Sequence, residues 1–118
     1  FFAQLNAIQK IASKESCLII GRCADYALRD FNNVVNIYIT APLEDRINRA
    51  INAYGIGEKH AAEYVKRMDK QRISYYNYYT DKRWGVPENY ELCLDSSALG
   101  IEGSVDLLED FIKKYFKE

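Results

Sequence analysis

The chain has little of what would announce a specialised class. Its 118 residues include three cysteines, two prolines, one histidine and one methionine. Cys17, Cys23 and Cys93 show neither CxxC nor CxxH spacing, which argues against a disulfide framework or a zinc module. Cys17 and Cys93 sit inside strand-like apolar runs, so the cysteines read as small buried hydrophobes of a reducing, cytoplasmic compartment. The lone His60 stands in a polar, helix-like stretch and gives a zinc site nothing to build on. No apolar run approaches the ~20 residues of a membrane span, and no signal-peptide pattern opens the sequence. Charge of neither sign prevails: Lys+Arg is 16 against Asp+Glu 17. That balance argues against binding of nucleic acid polymers in general. GxxxxGK[ST] is absent, as is any Ser/His/Asp or Cys/His nucleophilic set. The chain opens on Phe1-Phe2 without an initiator methionine, which suggests part of a longer polypeptide.

What is present is an alternation of strand-like and helix-like segments, the pattern of βαβ units with a parallel sheet. Phe2, Leu5, Ile8, Ile11 and Ala12 recur at helical spacing and predict an amphipathic helix over 2–13. Cys17-Leu-Ile-Ile20 predicts a strand buried on both faces. A short helix over 24–29 and a turn at Asn32-Asn33 lead to a second predicted strand, 34–39. Thr40 and Pro42 then suit a helix start, with Thr40 as cap, and that helix stops at Tyr54-Gly55. Gly55-Ile56-Gly57 lacks a third glycine and reads as a helix stop followed by a new start. Another helix runs from near Glu58 to the tyrosines, a loop covers 80–89, and 90–94 is a third strand. A last amphipathic helix follows Gly100-Ile101.

The candidate chemistry lies in cations placed at strand ends and on helix faces. Gly21-Arg22 ends the first predicted strand, where open parallel sheets gather their ligands, and a guanidinium fork matches phosphate oxygens. On those residues alone, an ordinary strand-ending turn with its arginine on a carboxylate fits equally. Arg46 and Arg49 share a helical face, open either to the same crevice or to solvent beside Glu44 and Asp45. Lys66, Arg67, Lys70 and Arg72 surround Asp69, which pairs with Arg72 at i,i+3. Such a cluster suits charge neutralisation around a transferred phosphoryl group, and equally a charged helix surface. Tyr75, Tyr76, Tyr78 and Tyr79 read as packing residues rather than base-stacking ones, and Trp84-Gly85 as an anchor for the following loop.

Four segments in this order resemble the cytidylate kinase-like family, a branch of the P-loop nucleoside monophosphate kinases. They are Cys17-Leu-Ile-Ile-Gly-Arg22, Ile37 to Arg49, Asp69-x-x-Arg72, and Leu94-Asp-Ser-Ser-Ala-Leu-Gly-Ile-Glu102. The stretch Tyr75-Tyr-x-Tyr-Tyr79 with Trp84-Gly85 is similar to one branch of it. The resemblance implies a three-layer α/β fold with a parallel sheet, of which this chain would be the C-terminal part of a single domain. The lid-like helical region would be about 58–85, and the N-terminal strand with its phosphate loop would lie outside the chain. That strand would run between segments 17–20 and 34–39, making the N-terminal segment of the same enzyme the first partner.

The resemblance further implies phosphoryl transfer from ATP, with Mg2+, to a nucleoside monophosphate such as CMP. The chain alone would be inactive. Arg22, Asp69 and Arg72 fall to acceptor binding, with Asp25 a candidate beside them. Arg46, Arg49, Lys66, Asp95 and Ser96 fall to the ATP side, and Arg67 and Arg72 to catalysis, with no metal ligand assigned. Arg22 and Arg72 would converge on one anion site. Cytidylate kinases proper carry aspartate directly after Gly-Arg, whereas this chain has Cys23, so the acceptor base stays open. Val65-Lys66 likewise stands where those enzymes tend to have Arg-Asp. Two other readings remain: a catalytically silent nucleotide-binding or interaction module, and a related kinase with another small acceptor.

Overall fold

A computed structural model describes residues 1–117, which fold as a mostly helical α/β chain with a two-stranded parallel sheet. Two compact units divide it, the first Phe1–Val34 and the second beginning at Val35.

In the first unit, helix α1 (Phe2–Lys14) lays Leu5 and Ile8 against Ala27 and Leu28, which lie in or beside the short helix α2 (Ala24–Ala27). The three- and four-residue spacing of α1 makes this possible, since it gathers the apolar side chains on one stripe. Gln9 adds a hydrogen bond from Nε2 to the Ala27 carbonyl at 2.9 Å. The apolar run 17–20 does not form the predicted doubly buried strand. Ile19 packs on this small core, but Leu18 and Ile20 are 86% and 84% exposed. A strand needs a partner ladder, and among the described residues none pairs with this run. Cys17 is exposed for the same reason.

Gly21, Arg22 and Cys23 follow with φ of 68°, 62° and 54°, three successive left-handed residues. Only the glycine adopts that region freely. Cys23, the buried cysteine, stands at the N-terminal end of α2, and burial followed by the nearby Asp25 charge pushes its thiol pKa up.

In the second unit, β1 (Ile37–Thr40) and β2 (Leu92–Asp95) run parallel, Ile37 opposite Leu92 and Thr40 opposite Asp95. Their parallel pairing matches the expectation, with both strands beginning two or three residues later than predicted. Asn36 and Glu91 fix the register at the strand entrance. The Glu91 carboxylate accepts from the Asn36 amide at 2.8 Å, and the Glu91 amide donates to the Asn36 carbonyl at 2.9 Å. Leu94 is buried whereas Cys93 is exposed, so β2 is covered on one face and the expected burial of Cys93 does not hold.

The crossover between the strands contains α3 (Leu43–Asn52) and α4 (Ala61–Thr80). Thr40 is the last residue of β1 and does not cap α3, which starts after Pro42. The two helices pack together, with Ala50 and Ala61 almost wholly buried. Gly55, at φ 68°, turns the chain between them as the sequence predicts. Of the tyrosine stripe, Tyr76 is buried, while Tyr75 and Tyr78 are exposed and each ring lies 4.8 Å from that of Tyr79. Helix α5 (Ser96–Tyr115) is capped by Asp95 and breaks at Gly100, whose φ of 73° and ψ of 178° no other residue tolerates comfortably. The predicted start of the last helix at Gly100-Ile101 therefore coincides with a kink, one helical turn into α5.

Candidate functional site

The site is centred on one carboxylate. Because α3 starts directly after β1, Arg46 lies two turns or less from the carboxyl end of the strand. Its Nε donates to the Ala41 carbonyl at 3.0 Å, which fixes the fork, and its Nη1 donates to both oxygens of Asp69 at 2.9 and 2.7 Å. Arg72 Nη1 lies 3.5 Å from Asp69 Oδ1, one helical turn further along α4. Asp69 thus ties α3 to α4 and holds two guanidiniums near one point. The i,i+3 pair of Asp69 with Arg72 was readable from spacing; the stronger partner, Arg46, lies 23 residues away and left no local signal.

Two cavities share this Arg46–Asp69–Arg72 wall. The larger, about 340 Å³, lies between α3 and α4 and adds Arg49, Tyr54 and Tyr64. The smaller, about 270 Å³, adds Tyr38, Thr40 and Trp84 at the carboxyl end of β1. In the larger cavity three arginines face a single carboxylate, leaving two positive charges uncompensated within the lining. Guanidinium groups bind phosphate oxygens through short, charge-assisted hydrogen bonds. Arg49 also donates from Nε to the Tyr54 hydroxyl at 3.3 Å. Burial first, and then the Asp69 charge, pushes the Tyr38 phenol above its ordinary pKa, keeping it neutral beside the acidic group.

The remaining predicted residues lie elsewhere. Arg67 sits with its guanidinium 5.7 Å from the Tyr64 ring centre and lines neither cavity, and Lys66 is exposed and lines neither. The Asp95 carboxylate accepts from the Ser97 amide and hydroxyl at 2.9 and 2.6 Å. Those bonds hold its pKa below the usual carboxylate value and make it the cap of α5. Ser96 Oγ reaches the Thr40 carbonyl at 3.4 Å. Arg22 and Asp25 belong to the first unit, where Asp25 Oδ1 accepts from the Tyr26 amide at 2.9 Å. Trp84 is the residue whose place was missed: it lines a cavity as well as anchoring its loop.

No helix among the described residues is long and apolar enough to cross a membrane. Comparison with known proteins gives three findings. The chain is similar to a crystal structure of an uncharacterized protein from Eubacterium ventriosum, with a TM-score of 0.80 and 31% identity over 93% of this chain and 63% of that one. It is 28% identical over 105 residues to a uronate isomerase of Corynebacterium glutamicum, covering 88% of this chain and 20% of the isomerase. The chain therefore spans about a fifth of that curated relative and under two thirds of the solved one. Residues 1–98 match the cytidylate kinase-like family, and the chain belongs to that family.

Proposed function

We propose that the chain is the C-terminal part of a nucleoside monophosphate kinase. In the reaction, the γ-phosphoryl group of ATP passes to a 5′-phosphate oxygen of CMP or a related pyrimidine nucleotide. One P–O bond forms as the bond to ADP breaks, and the products are ADP and a nucleoside diphosphate. The observation that carries this reading is the surplus of guanidinium charge around Asp69 at the carboxyl end of β1, within a chain of this family. Such transfers need positioning and charge neutralisation rather than a covalent intermediate, and arginines held in a fixed array supply both.

Asp69 works here as a positioning residue that spaces Arg46 and Arg72. By the resemblance, Arg46 and Arg49 serve the ATP side, and Arg72 meets the acceptor phosphate. In the first unit, the left-handed turn at Gly21–Cys23 supports a binding role for Arg22, since strained backbone of this kind clusters at ligand sites. The three-layer fold belongs to the same reading. The edge of β1 that is unpaired among the described residues supports a further strand, to which the resemblance gives the phosphate loop.

Mg2+ would arrive with ATP. Among the described residues no group of three or more His, Cys, Asp or Glu could hold an ion, and both Asp69 oxygens are taken by arginines. No step here is therefore assigned to a metal ligand of this chain. A coupled ADP-release assay on the full-length polypeptide, across CMP, UMP, dCMP and non-nucleotide acceptors, tests the proposal. ATP-dependent turnover with a pyrimidine monophosphate is expected; nucleotide binding without turnover would favour a silent module.

A further inference from the structure

The smaller cavity has an aromatic wall that the family resemblance does not assign. Trp84 and Tyr38 line it together with Arg46, Asp69 and Arg72. The loop bearing Trp84 is stitched in place. The Trp84 amide donates to Asn77 Oδ1 at 2.9 Å, Asn89 Nδ2 donates to the Arg83 carbonyl at 2.8 Å, and the Gly85 amide donates to the Tyr90 hydroxyl at 3.2 Å. Gly85 has φ +80°, and a Cβ there would lie 3.1 Å from the Tyr38 hydroxyl. The Trp84 ring meets the Tyr38 ring edge to face, with centroids 5.2 Å apart. Trp84 is half-buried and lines the cavity.

We infer that Trp84 contacts the nucleobase of a bound nucleotide whose phosphates are held at Arg46 if it is ATP and at Arg72 if it is the acceptor. Three observations lead there. The cavity lining combines aromatic rings with guanidinium groups, the complement of a flat ring that carries an anion. Its volume, about 270 Å³, is just under the ~300–1,000 Å³ of sites that enclose a whole small ligand, so it suits one moiety of a larger one. The second cavity across the same arginines gives the rest of such a molecule a place. The inference rests on the kinase reading, and it leaves the base of ATP and the base of the acceptor as two sources of one chemistry.

Trp84 is the sole tryptophan of the chain, so its fluorescence reports on the site directly. The experiment titrates the full-length protein and its Trp84→Phe variant with ATP, CMP, ribose 5-phosphate and inorganic phosphate. The Trp84 signal is the difference between the two proteins, and calorimetry reads binding independently. A Trp84 signal with ATP alone assigns the donor base and one with CMP alone the acceptor base; either supports the inference provided ribose 5-phosphate does not reproduce it. Trp84→Leu should then weaken that nucleotide about 5- to 150-fold, the effect of losing one base–aromatic contact, with phosphate affinity unchanged. Should Trp84→Leu fail to fold, the Phe variant and the fluorescence difference still decide. Calorimetric binding of ATP or CMP without any Trp84 signal overturns the inference alone. Absence of all nucleotide binding overturns the kinase reading with it.

Discussion

Replacing Asp69 with alanine leaves Arg46 and Arg72 facing each other without their shared counter-charge. Its cost follows from the geometry. The Arg46 and Asp69 side chains are 34% and 23% exposed, and two hydrogen bonds of 2.9 and 2.7 Å join them. A fully exposed pair contributes roughly 0.2–1 kcal/mol, and breaking a fully buried one costs roughly 3–5 kcal/mol. This partly covered pair lies between, at about 1.5–3 kcal/mol for the single variant, in line with charged hydrogen bonds generally. Arg72, more exposed and 3.5 Å away, adds little to stability. Urea unfolding of the Arg46→Ala/Asp69→Ala double-mutant cycle should therefore give a coupling of about 1–2 kcal/mol. It should largely persist in ~1 M salt, where screening shortens to about 3 Å but does not reach a covered contact. A coupling within the ~0.3–0.5 kcal/mol scatter of independent sites would refute the idea that Asp69 ties α3 to α4.

Gly100→Ala should destabilise the protein by about 1–3 kcal/mol, because φ 73°, ψ 178° is open only to glycine while no neighbour lies within 4 Å to clash. An unchanged urea midpoint would show that α5 straightens without cost. Tyr38, whose phenol is held neutral by burial and by Asp69, gives a pH signature. The unfolded phenol ionises near pH 10 and the folded one higher, so stability is complete below about pH 10 and falls as pH rises through the folded value. Tyr38→Phe should flatten that alkaline decline in melting temperature; an identical decline in both proteins would assign it to other groups.

The parts of this molecule that were legible in the sequence are those with local causes. Apolar residues at three- and four-residue spacing marked α1, and Gly55 marked the end of α3, because both signals act within a turn or two of chain. The parallel pairing of β1 with β2 followed from helices lying between two apolar runs. Segment 17–20 shows the limit: its composition suits a buried strand, yet pairing is a property of neighbours and not of composition. Leu18 and Ile20 consequently stay exposed. Cys93 fails in the same way, since a strand covered on one face sends alternate residues outward. In the site, Asp69 with Arg72 was local and visible. Arg46 and Trp84 reached the same wall through the tertiary fold, across 23 residues in the case of Arg46.

The central claim is that the arginines gathered at Asp69 serve phosphoryl transfer. The direct measurement is kcat/KM for ATP-dependent nucleoside diphosphate formation by the full-length polypeptide and its Arg72→Ala variant, with folding of both checked by melting temperature. A charged hydrogen bond realised in the transition state is worth about 1.5–3 kcal/mol, so the variant should lose roughly 10- to 150-fold at nearly unchanged stability. Wild-type kinetics in Arg72→Ala, or no ATP-dependent product from the full-length protein with any nucleoside monophosphate, would contradict it.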